Sequence, residues 1–152
     1  MFTTPDKILA LPEMLKRCNS WRVRHDELVF TYGTFDLLHP VHIGYLEEAR
    51  SLGQRLIVGV YADTLTPQAA VPAEHRAQLL ASLMVADGVV IIDEAFPTQL
   101  IQSLKPEVVV APLEDSAAKV DPELLLELQL NYVELVQPDM KAYLELLGKV
   151  QA

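Results

Sequence analysis

Short, β-branched apolar runs alternate with longer amphipathic stretches along this chain. The runs Leu28–Tyr32, Leu56–Tyr61, Val89–Asp93, Val108–Ala111 and Tyr132–Val136 read as strands. Their apolar character hardly alternates, as expected of strands buried on both faces. Between them His42–Leu52, Ala73–Val85, Pro97–Leu104 and Pro122–Leu130 carry helical periodicity, and Asp139–Lys149 follows last. Ahead of the first strand, Asp6–Asn19 predicts another helix within a leading helical segment, 1–26. Pro97 and Pro122 suit first-turn positions, where a missing N–H costs nothing. Such alternation, with connections this short, predicts an α/β fold: an open, parallel, five-stranded sheet with helices on both faces. No linker or internal repeat interrupts it, so residues 1–152 read as a single domain.

Composition narrows the setting. Apolar residues make up 51% of the chain, yet no stretch approaches the roughly 18 uninterrupted apolar residues of a membrane span. The start, Met-Phe-Thr-Thr-Pro-Asp, lacks the basic-then-apolar progression of a signal peptide. One cysteine, Cys18, excludes an internal disulfide and fits a reducing compartment, so a cytoplasmic protein is expected. A net charge of −9 repels a nucleic-acid backbone, so neither nucleic acid nor membrane is an expected partner. A small phosphorylated ligand stays compatible, because a local site can oppose the overall field.

The candidate chemistry sits in the run Thr31-Tyr-Gly-Thr-Phe-Asp-Leu-Leu-His-Pro-Val-His42. It joins the first strand to the next helix, at the carboxyl end where open parallel sheets bind ligands. Gly33 permits a tight turn and a close backbone approach, and the N–H groups of residues 33–35 are placed to face an anion. A helix starting near Val41 or His42 points its positive end at the same spot. His39 and His42 can donate to phosphate oxygens, most strongly when protonated. Two alternatives stay open on spacing alone. The histidines could ligate a metal, although no Cys/His cluster elsewhere completes a site, or they could be ordinary polar caps on a buried helix.

Gly-Thr-Phe-Asp-Leu-Leu-His-Pro-Val-His resembles the G-x-F-D-x-x-H-x-G-H signature of the cytidylyltransferase-like nucleotidyltransferases. The likeness runs on through Tyr45–Val60, Asp63, Glu74-His-Arg76 and Val89–Pro106, roughly two-thirds of the chain. Ile8–Trp21 and Ser103–Val110 most resemble the adenylyltransferase domain that makes ADP-heptose. Thr31–His39 and Glu74-His-Arg76 are equally close to glycerol-3-phosphate cytidylyltransferase. The resemblance implies a Rossmann-like sheet and the family reaction. A phosphate oxygen of a sugar or polyol phosphate attacks the α-phosphorus of a nucleoside triphosphate, usually with Mg²⁺, and releases pyrophosphate. His39 and His42 are then the catalytic pair. The backbone of Tyr32, Gly33, Thr34 and Phe35 cradles phosphates, Val41 borders the nucleotide, and Arg76 faces the nucleotide side. The scaffold often dimerises, so a homodimer is allowed.

Four positions depart from the family pattern. Val41 replaces the second glycine of the signature, and a branched side chain there takes space left for the nucleotide. No Lys or Arg lies between Arg55 and Arg76, where the family usually places a lysine. Ala111-Pro-Leu-Glu-Asp115 replaces a Lys-Gly-Gly-Asp-Tyr segment, and no Ser or Thr follows Ser116. Two function classes therefore follow: a nucleotidyltransferase adding AMP or CMP to a sugar or polyol phosphate, or a catalytically degenerate relative that binds nucleotide or another anion, or acts as an interaction protein. Outside the signature, Glu114-Asp115 reads as a solvated loop and Leu124–Leu130 as core. Trp21 and Tyr45 read as packing, His75 as pocket-side or surface, and Cys18 as an unactivated thiol.

Overall fold

The computed structural model describes residues 3–94, 97–112, 122–127, 129, 131–135 and 148. Five strands form one parallel sheet: β1 (Leu28–Gly33), β2 (Arg55–Tyr61), β3 (Gly88–Ile92), β4 (Val108–Pro112) and β5 (Asn131–Leu135). Their spatial order is β3-β2-β1-β4-β5. The order reverses beside β1, so the crevice for a ligand opens at the carboxyl end of β1 next to β4. The signature run leaves the sheet at that point.

All five expected strands are present, displaced by one residue at most at either end. The helices shifted more. α3 spans Pro40–Arg50, starting two residues before the expected His42, because His39 caps it and Pro40 fills the first turn. α4 spans Ala73–Ala81, shorter than expected, and Ser82 closes it with its Oγ on the Leu79 carbonyl. The single leading helix is in fact two, α1 (Thr4–Lys7) and α2 (Leu11–Val23). Between them Ile8 bridges to Val89 at the edge of β3, and Pro12 falls in the first turn of α2, where its ring is tolerated. α5 (Thr98–Leu104) and α6 (Pro122–Glu127) match expectation at all but their ends. The final helix, Asp139–Lys149, lies outside the described residues save Gly148.

Alternation along β1 feeds two cores. Leu28, Phe30 and Tyr32 point toward Met14, Cys18 and Trp21 of α2 and Ile101 and Leu104 of α5. Val29 points the other way, toward Leu46 and Ala49 of α3 and Ala77 and Leu80 of α4. Both faces are therefore apolar, which is why the strand pattern is continuous. Trp21 is core, and the Arg55 guanidinium stands 5.5 Å from its ring centroid. Cys18 is fully buried, and burial pushes its thiol up to about 11, so it is unreactive at neutral pH. One expectation of core burial fails: Leu126 of α6 is 80% exposed, on an outward face with Pro122 and Glu123.

Candidate active site

Beyond Gly33 the chain runs through Thr34–Leu38 to the start of α3. Phe35 and Leu37 take left-handed backbone angles, φ 51° and 49°, each disfavoured for an L-residue by about 1–2 kcal/mol. The turn places Phe35 back over Gly33. A Cβ at Gly33 would meet the Phe35 ring at 3.2 Å, and its three nearest neighbours are all atoms of that ring. The space above the glycine thus belongs to Phe35, not to Val41. The Phe35 ring is buried and stands edge-on to the His42 ring, centroids 5.9 Å apart.

His39 and His42 face one another across 4.2 Å between centroids, tilted by 36°. His39 is the N-cap of α3, and its Nδ1 accepts the Val41 N–H at 3.2 Å. His42, three residues on, holds the capping residue's own backbone: its Nδ1 accepts the His39 N–H at 3.3 Å. A ring nitrogen that accepts carries no proton, so both neutral imidazoles hold their proton on Nε2. Both rings are buried, and burial lowers both pKa values. His42 falls to about 4, through burial first and the neighbouring His39 second. The pair is therefore neutral at pH 7, not protonated as simple phosphate chemistry suggested. Each ring thus carries its one N–H on Nε2, at a helix N-terminus.

This has a consequence for stability. The unfolded chain protonates His42 near its ordinary value of 6.5, the folded chain only near 4. Between those values the unfolded state binds more protons, so stability falls as pH drops from 6.5 toward 4. The loss from this ring is on the order of 3 kcal/mol. Urea unfolding of wild type and His42→Asn across this range is expected to show a shallower acid slope in the variant; equal slopes would contradict the buried, neutral ring.

A second hydroxyl contact fixes the rotation of α3. Thr31 Oγ1 lies 2.9 Å from the Tyr45 hydroxyl and also donates to the Val110 carbonyl at 2.9 Å, all buried. Tyr45 stands one turn below His42, so this tie locks the helix face bearing the histidine onto β1. Burial pushes the phenol up to about 12, so it stays a neutral donor.

Arg76 lies at the same crest, but its charge is turned inward. The residue is 1% exposed. Its Nε donates to the Val71 carbonyl at 2.8 Å and Nη1 to the Thr34 carbonyl at 2.7 Å. Nη2 reaches Asp63 Oδ1 at 3.2 Å and Thr66 Oγ1 at 3.1 Å. Helical spacing places Arg76 beside the nucleotide loop, but four protein acceptors hold its guanidinium. Thr66 was not singled out from sequence, and Asp63 and Asp36 entered only as parts of the family likeness, without a role. Asp36 lies within the signature, yet only the fold shows its carboxylate on the Ala70 and Val71 N–H groups, at 2.8 and 3.0 Å. Tyr32 pairs with Gly59 inside the sheet and Gly33 with Val60, so of the expected phosphate cradle Thr34 and Phe35 lie beyond the strand. Val41 is half-buried in the first turn of α3. His75 is an exposed residue of α4. Glu114-Asp115 and Gln137–Lys141 lie outside the described residues.

Signature, crest and strand order agree with a family model described as cytidylyltransferase-like, which matches residues 30–141. The chain belongs to the cytidylyltransferase-like family. The bifunctional protein HldE of Methylobacillus flagellatus is 38% identical over 110 residues, 68% of this chain and 22% of that protein. HldE of Helicobacter pylori strain G27 is 42% identical over 113 residues, 70% of this chain and 24% of its own length. The chain thus spans about a quarter or less of these curated relatives. Among solved structures, a lipopolysaccharide core biosynthesis protein from Thermoplasma volcanium superposes with TM-score 0.66 at 24% identity, covering 75% of this chain and 99% of that one. Pantoate-beta-alanine ligase from Francisella tularensis gives 0.60 at 16% identity, over 85% and 65%. These last two establish the Rossmann-like fold of the family. No helix among the described residues is long and apolar enough to cross a membrane.

Proposed function

We propose that this chain transfers a nucleotidyl group, AMP or CMP, from a nucleoside triphosphate to a small sugar or polyol phosphate. A phosphate oxygen of the acceptor bonds to the α-phosphorus, the bond to the leaving phosphate breaks, and pyrophosphate departs. Negative charge builds on the equatorial oxygens during the step. The observation that carries this reading is the His39–His42 pair at the N-terminus of α3, each ring held through Nδ1 on a backbone N–H of that turn. Both rings are oriented before substrate arrives, so in this reading they stabilise that charge with little reorganisation. Neutral donors also spare the site a second buried charge. Thr34 and Phe35 lie just beyond the strand, and in this reading their N–H groups receive phosphate oxygens.

Mg²⁺ belongs to this proposal as a passenger on the triphosphate. Magnesium keeps several waters and binds through phosphates with one or two carboxylates rather than an all-protein cage. No group of three or more metal-type side chains gathers among the described residues, so in this reading the phosphates themselves hold the ion. When bound, the ion would neutralise charge on the phosphates; the chain's own residues do the positioning.

The inward turn of Arg76 favours a second reading beside the first, a relative that binds nucleotide weakly and turns it over little. Calorimetric titration with ATP and with CTP, each with Mg²⁺, separates the two. Micromolar binding of one nucleotide is expected; silence with both would overturn the transferase reading. Overfilling a fitted site costs about 1–3 kcal/mol. Val41→Gly is therefore expected to tighten nucleotide binding by about tenfold, and an unchanged affinity would show that Val41 obstructs nothing.

A further inference from the structure

We propose that Asp36 and Arg76 form a closed tie that sets the geometry of the histidine pair, acting as positioning residues for the transfer proposed above. The tie can be traced bond by bond. From the signature loop, the two Asp36 carboxylate oxygens accept the Ala70 and Val71 N–H groups at 2.8 and 3.0 Å. The Val71 carbonyl accepts Arg76 Nε at 2.8 Å, and Arg76 Nη1 donates back to the Thr34 carbonyl at 2.7 Å. The path ends two residues from where it began. Asp63 and Thr66 hold the remaining edge of the guanidinium, and Asp63 Oδ1 also takes the Ala73 N–H at 2.8 Å, pinning the start of α4.

What this closed path encloses matters. Phe35 and Leu37, the two left-handed residues, flank Asp36 on either side. Their strain persists only while the surroundings over-determine it. Carboxylate bonds to backbone N–H groups and guanidinium bonds to carbonyls are charge-assisted, the stronger class of hydrogen bond. The left-handed turn lays Phe35 over Gly33 and against His42, and two residues after Leu37 the chain delivers His39 as the cap of α3. Releasing the carboxylate frees the turn to relax to ordinary angles. Phe35 then leaves the His42 ring, and the two Nδ1 bonds to the backbone N–H groups of His39 and Val41 lose their alignment. Both Asp36 carboxylate oxygens are engaged by backbone N–H groups, so it acts through the turn.

The test compares full-length wild type, Asp36→Ala and Asp36→Asn by long-range ¹H–¹⁵N correlation of the histidine rings, with thermal unfolding and pyrophosphate release measured in parallel. In wild type both rings are expected as Nε2–H tautomers at pH 7. In Asp36→Ala the pattern is expected to become a tautomer mixture, with the His42 titration moving up toward 6.5. Under the transferase reading kcat falls about 10- to 100-fold. Asp36→Asn keeps one acceptor oxygen and is expected to recover part of both signals. It also serves as the probe should the alanine variant fail to fold. Wild-type ring spectra in either folded variant would overturn the tie. A wild-type protein that releases no pyrophosphate, yet whose ring spectra change on Asp36 substitution, would overturn the transferase reading and uphold the tie.

Discussion

Replacing His39 and His42 together by alanine is expected to abolish pyrophosphate release. Removing one preorganised donor to a developing oxyanion typically costs about 2.7–4 kcal/mol, or roughly 100- to 1000-fold in rate. The His42 ring holds the His39 backbone N–H and the His39 ring holds the Val41 N–H, so both rings depend on one capped turn, their losses do not add, and each single variant is expected to show most of the effect. Stability needs separating from chemistry, because His39 also caps α3, and losing a cap costs about 0.5–2 kcal/mol. His39→Asn makes the separation. Asparagine is a good N-cap but lacks a donor where Nε2 stands, so it is expected to keep the melting temperature and lose the rate. A pyrophosphate assay with a parallel thermal melt reads both. Unchanged turnover in the double variant would remove the histidines from the mechanism.

The largest expected effect on the fold comes from Arg76→Met. Methionine fills a similar volume, so the change isolates the hydrogen bonds. It strips donors from the Thr34 and Val71 carbonyls and from Thr66. An unsatisfied buried acceptor costs about 1–3 kcal/mol, so the variant is expected to lose about 3 kcal/mol, or about 10 °C in melting temperature. Asp63 contributes less than its ion pair suggests, since its side chain is 62% exposed and screened by water. Arg76→Lys is expected to rescue little, because one ammonium cannot reproduce a planar fork bonded along three edges. Urea unfolding measures the loss. A cost below about 1 kcal/mol in Arg76→Met would mean that the loop 62–72 does not depend on the guanidinium.

The sheet was legible because burial on both faces leaves a direct mark: five β-branched runs with hardly a polar interruption. The position of the site was legible too, since a glycine turn after the first strand must fall at the carboxyl edge. Helix starts were harder. Histidine is not among the usual capping residues, so nothing in the spacing announced that His39 ends the loop and that Pro40 begins α3. The break at residues 8–10 depends on the pairing of Ile8 with Val89, a contact far away in sequence that no local pattern encodes. Arg76 shows the deeper limit. Helical periodicity places a residue on a face, but whether its charge meets ligand or protein depends on acceptors from Thr34, Asp63, Thr66 and Val71, which only the fold assembles. The same holds for the space above Gly33, filled by Phe35 through a left-handed turn that its residue type gives no reason to expect.

The histidine crest as a working nucleotidyl-transfer site is tested most directly by ³¹P NMR. The full chain is incubated with Mg²⁺, ATP or CTP, and a panel of sugar and polyol phosphates. The account predicts loss of the nucleotide α-phosphorus signal in one mixture, with matched appearance of inorganic pyrophosphate and a new nucleotide–acceptor diphosphate, absent when His39 and His42 are alanine. Nucleotide spectra that stay unchanged across the panel with the folded wild-type protein would contradict it.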